Sequence, residues 1–280
     1  MTDRISATIP ASAPHPRHAI ADAARRTGVD FDYLMAQAQI ESGMNPRAEA
    51  RTSSASGLYQ FIDQTWLTTL DRHGERLGYG DMARAIETRG GRASVTDPAM
   101  RDAIMQLRFD PQASSLMAGA LATDNRAALQ GVLGRDPDAS ELYLAHFLGA
   151  GDAARFLSVL TTDPDKSAVA LLPRAAAANR AIFREASGAP RSVGEVMGVI
   201  RERVEGAMVT ASNAPPAAPP PRPASPGLGA PAYPDMPTRI EPSPQMPSMA
   251  DTLRHSFAAT GAEPPVHVRN AYARLEAFGL

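Results

Sequence analysis

Cysteine is absent from the 280 residues, so disulfides, a thiol nucleophile and cysteine-ligated zinc are all excluded. Lysine is almost missing too: Lys166 stands alone beside 27 arginines, and 30 acidic residues bring the net charge to -2 and the pI to about 6.3. A chain with that balance has no polybasic grip on phosphate, and no nucleic-acid partner is expected. No apolar run approaches the ~20 residues of a membrane-spanning helix. The first twenty residues hold Pro10, Pro14, Pro16, His15 and His18 where a Sec signal needs a basic start and a continuous apolar stretch. No such signal is read there, which leaves the export route open. The six histidines form no H-E-x-x-H, and neither a G-x-S-x-G elbow nor a G-x-x-x-x-G-K-[ST] loop occurs. No metal and no organic cofactor is therefore expected.

Alanine is what the chain has in abundance, 52 residues of it, and an alanine-rich core favours helices. The reading is all-α. Residues 1–16 are expected to be a disordered N-terminus and 17–207 a helical domain. Residues 208–248 read as a Pro/Ala-rich disordered linker, since 13 of the 25 prolines lie between Ala214 and Pro247 and nothing there can offset the entropy of ordering. A short helical tail over 249–280 follows, with pieces at Met249–Ala258 and Val266–Phe278. No period-two alternation signals strands. Helices are predicted over 17–27, 30–42, 63–77, 80–88, 98–108, 111–132, 138–148, 150–160, 164–185 broken near Pro173, and 192–207. Asp97-Pro98, Asp110-Pro111, Asp136-Pro137 and Asp163-Pro164 each offer a capping carboxylate ahead of a proline suited to the first turn.

The chemistry concentrates between Gly28 and Trp66. Asp30 can cap a helix whose apolar stripe runs through Phe31, Leu34, Met35 and Ala38 and continues three residues on to Glu41. Gly43 and Asn45-Pro46 end that helix, placing Glu41 in its last turn. Desolvation and the negative helix end both favour the protonated acid, the form needed to protonate a glycosidic oxygen. Taken alone, a structural Glu paired with Arg47 or Arg51 fits equally well.

The residues that follow carry a family resemblance. Glu41-Ser42-Gly43, the Asn45-Pro46 turn, the serine-rich loop and Gly57-Leu58-Tyr59-Gln60 resemble the first two motifs of the soluble lytic transglycosylase (SLT) domains, lysozyme-like enzymes that cleave peptidoglycan. A third motif, A-Y-N-x-G in the family, falls at Ala145-His146-Phe147-Leu148-Gly149, with His146 and Phe147 in place of Tyr and Asn and with Tyr143 one turn earlier. The resemblance spans about residues 20–185. It implies a lysozyme-like helical domain and a lytic transglycosylase that cuts the β-1,4 bond between N-acetylmuramic acid and N-acetylglucosamine, leaving 1,6-anhydromuramyl ends. Glu41 would be the general acid and then the general base, without a second carboxylate; Glu49, Asp63 and Asp71 read as loop, cap and surface charges.

Ser42, Tyr59, Gln60, Tyr143 and His146 are the candidate substrate-binding residues on this reading, with Gln60 suited to an acetamido group. Tyr59 stands where the family commonly has Met, and Trp66 reads as core. Peptidoglycan glycan strands are the implied partner and the periplasm or cell envelope the implied place. The tether and tail point to an envelope-spanning machine, such as a flagellar or secretion apparatus, as a further partner. A muramidase using water and a wall-binding module that does not cut are the alternatives.

Overall fold

A computed structural model describes residues 15–51 and 53–213; the first fourteen residues, Thr52, and the expected tail and most of the expected linker lie outside the described residues. Chain punctuation by capping side chains and left-handed glycines sets the element order. Helix α1 (Pro16–Thr27) ends on Gly28 at φ 72°, and α2 (Phe31–Ser42) starts on Asp30, whose carboxylate accepts from the Tyr33 N–H at 2.8 Å, and stops on Gly43 at φ 60°. Both glycines occupy the backbone region that other residues reach at a cost. After a long loop come α3 (Asp63–His73) and α4 (Gly80–Arg84).

The expected helix over 80–88 stops early, and a hairpin of β1 (Glu87–Arg89) and β2 (Arg92–Ser94) takes its place, antiparallel with Thr88 opposite Ala93. The turn is Gly90-Gly91 at φ 57° and 77°, the two-residue, positive-φ connection that hairpins favour. Strands this short leave no alternation to read, and the paired glycines were the available signal. The fold is otherwise all-α, as the sequence indicates.

Helix α5 (Pro98–Gln106) runs into a 3-10 turn, and the long α6 (Pro111–Leu133) follows. Residues 113–120 of α6 are all buried, so this helix forms the centre, with α1, α3 and α8 (Ala150–Thr162) against it. Asp97 and Asp110 do cap their helices, accepting from Ala99 and Ala113. The other two Asp-Pro pairs do not. Helix α7 (Ala139–Leu148) is capped by Asp138, which exchanges hydrogen bonds with Glu141 in a capping box, a stronger arrangement than Asp136 offers two residues upstream. Asp163-Pro164 opens a turn, and the next helix starts on Ser167.

The predicted 164–185 helix is three short pieces, α9 (Ala168–Leu171), α10 (Pro173–Ala178) and α11 (Arg180–Phe183), because Pro173 and Asn179 interrupt it. Helix α12 (Val193–Asn213) then packs along α2 and α7, so residues 208–213, assigned by composition to the linker, are helical. No helix among the described residues is long and apolar enough to cross a membrane.

The α7 capping box is reinforced by Arg135, whose guanidinium donates to both carboxylate oxygens of Glu141 at 2.7 Å. That fork, with the Asp138 N–H, outweighs burial and holds the Glu141 carboxyl below its ordinary value of 4.5. A depressed folded value means that the unfolded chain takes up the proton first on acidification. The stability Glu141 contributes is present above about pH 4.5 and lost as pH falls through the lower, folded value. Thermal melts across pH should show Glu141→Gln less stable than wild type at pH 7, with the gap narrowing as the pH is taken below 4.5.

Candidate active site

Glu41 lies in the last turn of α2, at the floor of a cleft of about 350 Å³. Its side chain is 19% exposed, and Oε1 accepts from the Tyr143 hydroxyl at 2.9 Å. The His146 Nε2 stands 3.6 Å from the same oxygen, too far for a hydrogen bond. Burial pushes the His146 imidazole below its ordinary value, against the opposing pull of the Glu41 charge, so the ring is neutral at pH 7. Burial and the Glu41 charge together push the Tyr143 hydroxyl well above its ordinary value. Tyr143 therefore keeps its proton and donates it into the bond with Glu41. Neither Arg47 nor Arg51 pairs with Glu41, whose hydrogen-bond donor among the described residues is the Tyr143 hydroxyl.

The opposite wall comes from the loop between α2 and α3. Two isolated antiparallel bridges, Glu49 with Ser56 and Ser56 with Phe61, fold it back on itself. Gly57 makes the tight corner at φ 80°, and a Cβ there would sit 1.9 Å from the Arg108 carbonyl oxygen. Arg108 is buried and bonds the Ser54 and Phe61 carbonyls and the Asp63 carboxylate, at 2.8, 3.2 and 2.9 Å. Asp63 is thus an anchor for Arg108 rather than the expected cap; the N-cap position of α3 is Ile62, without a side-chain bond. Asp71 accepts from the Thr88 hydroxyl. Glu41 is the only carboxylate among the described residues lining the cleft.

Gln60 holds a left-handed backbone, φ 48°, and its Nε2 bonds the Ala48 and Gly57 carbonyls at 3.2 and 3.0 Å. The amide nitrogen is committed to the loop, while the side chain lines the cleft and its Oε1 accepts no bond from the described residues. Backbone strain of this kind persists only where surrounding bonds over-determine it. Ala55, Phe61, Ile62 and Thr65 continue this wall, with Ile62 47% exposed. Across from it stands Phe147, parallel to the Tyr143 ring within 7°.

Of the five residues named for substrate binding, Gln60 and His146 line the cleft and three do not. Tyr59 is fully buried and its hydroxyl donates to the Leu34 carbonyl at 3.2 Å, making it a core strut that ties the loop to α2. Ser42 turns its hydroxyl to the Leu58 and Ala38 carbonyls at 2.8 and 3.1 Å, which fastens the Gly57–Gln60 turn beside Glu41. Tyr143 is buried behind Glu41 and touches the acid instead of the cleft space. Trp66 is core, with its indole N–H donating to the Ile104 carbonyl.

Asn179, between α10 and α11, lines the cleft and was not singled out by sequence. The available signal was the break it makes after an alanine run. Residues 18–84, which hold most of α1, all of α2 to α4 and the Glu41 and Gly57–Gln60 segments, match the family described as the Transglycosylase SLT domain. The match bears out the resemblance read from the first two motifs and supports, at family level, a lytic-transglycosylase-type function on peptidoglycan. Tyr143, His146 and Asn179 lie beyond the matched residues.

The Gly57 corner combines a positive φ with backbone contact, neither of which a side chain can relieve. Gly57→Ala should destabilise the protein by at least ~2 kcal/mol in urea unfolding.

Proposed function

We propose that this protein is a lytic transglycosylase in which Glu41 is the general acid and base. The observation that carries the reading is a single half-buried carboxylate held by a neutral hydroxyl donor in an open cleft. A two-carboxylate glycosidase places its second acid about 5–9.5 Å from the first, and among the described residues lining the cleft Glu41 has no such companion. One carboxyl suffices when the nucleophile belongs to the substrate.

Glu41 protonates the oxygen between N-acetylmuramic acid and N-acetylglucosamine and then, as carboxylate, takes the proton from the C6 hydroxyl of that muramic acid. The C6 oxygen closes on its own anomeric carbon, giving a 1,6-anhydro ring and a free N-acetylglucosamine end. Intramolecular attack of this kind reaches effective concentrations on the order of 10⁵ M or more. Tyr143, bound to Oε1, leaves Oε2 as the oxygen turned to the sugar. The substrate acetamido group steadies the positive anomeric carbon, and Gln60 Oε1 and the neutral His146 ring are its candidate hydrogen-bonding partners. Ile62 and Phe147 supply apolar surface for sugar faces. Such a substrate places the protein's action in the cell envelope.

Murein zymography should show clearing by the wild-type protein and none by Glu41→Gln. Mass spectrometry of the digest should then give fragments lighter by one water than hydrolytic products. Reducing ends would make the enzyme a muramidase, and a wild-type protein that binds murein without clearing it would make it a wall-binding module.

Tyr143→Phe keeps the ring packing and deletes the donor to Glu41. Murein turnover should fall roughly 10- to 100-fold, as expected for the loss of a hydrogen bond to a charged group, with little change in melting temperature.

A further inference from the structure

Asn179 is built into the cleft more firmly than a wall residue requires. Its backbone N–H donates to the Ala175 carbonyl at 2.9 Å, and its carbonyl accepts from the Ile182 and Phe183 N–H groups at 3.0 and 3.2 Å. The side-chain Nδ2 also donates to Ala175, at 3.0 Å, which fixes which end of the amide is nitrogen. Phe183 is fully buried. Arg191 braces the same junction by donating to the Ala181, Ile182 and Arg184 carbonyls at 2.8, 2.9 and 2.7 Å. Asn179 thus ends α10 and begins α11 with its side chain held on the cleft lining, and its Oδ1 accepts no bond from the described residues.

We propose that Asn179 is a glycan-binding residue whose Oδ1 accepts a hydrogen bond from an N–H or O–H of an N-acetylated sugar. The inference rests on the function proposed above and adds to it a binding group from a segment that the family match does not reach. Chemistry favours this role. Phe147, which fills the place of the family's Asn in the third motif, offers apolar surface and no hydrogen bond. The Gln60 nitrogen is spent on its loop. Asn179 places a second amide acceptor on the lining, and N-acetylated glycans carry donors on every residue. A pre-fixed acceptor binds without the entropy of ordering a side chain.

A matched pair of substitutions separates recognition from scaffolding. Asn179→Leu and Asn179→Asp both lose the amide donor to Ala175, and only Asp keeps a side-chain oxygen. In the Glu41→Gln background, which retains bound strands uncut, calorimetry with amidase-released murein glycan strands should show Asn179→Leu binding roughly five- to tenfold more weakly. Asn179→Asp should stay within about twofold of the parent, with both variants equally lowered in melting temperature. In the protein with Glu41 intact, Asn179→Leu should raise KM and leave kcat nearly unchanged, the signature of uniform binding. Unchanged binding by Asn179→Leu, or equal weakening by both variants, overturns the inference and leaves the proposed function standing. A Glu41→Gln protein that binds no strands at all overturns both.

Discussion

The hydrogen bond from Tyr143 to Glu41 joins side chains 102 residues apart, and nearly everything else in the domain serves to hold those two helices in register. Helix α12 lies along both α2 and α7 and so sets their separation. Asp138, Glu141 and Arg135 fix the start of α7, which determines where Tyr143 and, one turn later, His146 and Phe147 emerge. Burial then decides the protonation of the partners: the phenol keeps its proton and the imidazole gives its up. The carboxyl consequently faces neutral neighbours.

The loop facing Glu41 gains order without regular secondary structure. Side chains bond its backbone carbonyls: Arg108 and Ser42 from outside the loop on Ser54, Phe61 and Leu58, and Gln60 from within it on Ala48 and Gly57. The Ala48, Gly57 and Phe61 carbonyls also accept backbone N–H groups, from Gly57, Gln60 and Ser56, so side chains and backbone together fix the loop. Trp66 and Phe61, in edge-to-face contact at 5.2 Å, seat the loop on the first turn of α3.

Much of this was legible in the sequence. Capping Asp30 and terminating Gly43 bounded the Glu41 helix to within one residue, because both signals act within one turn. What failed was longer in range or smaller in scale. Tyr59 and Ser42 sit in motif positions beside the acid, yet their hydroxyls turn to backbone carbonyls, a choice made by tertiary contacts that spacing does not encode. Asp136 lost the cap of α7 to Asp138 because Glu141 completes a reciprocal pair with the latter. The β1–β2 hairpin carries its signal in two glycines alone. Asn179 was hidden in an alanine run, since its importance arises from where the chain returns after more than a hundred residues.

Helix α1 rests on α6 and α2 rests on α12, although α2 and nearly all of α1 fall within the matched residues and α6 and α12 outside them. The recognisable signature and the smallest piece able to fold are therefore not coextensive. An isolated fragment ending at α4 would carry the acid yet bare the apolar flanks of its helices to water. The Glu41 helix therefore depends for its packing on distant helices outside the matched residues.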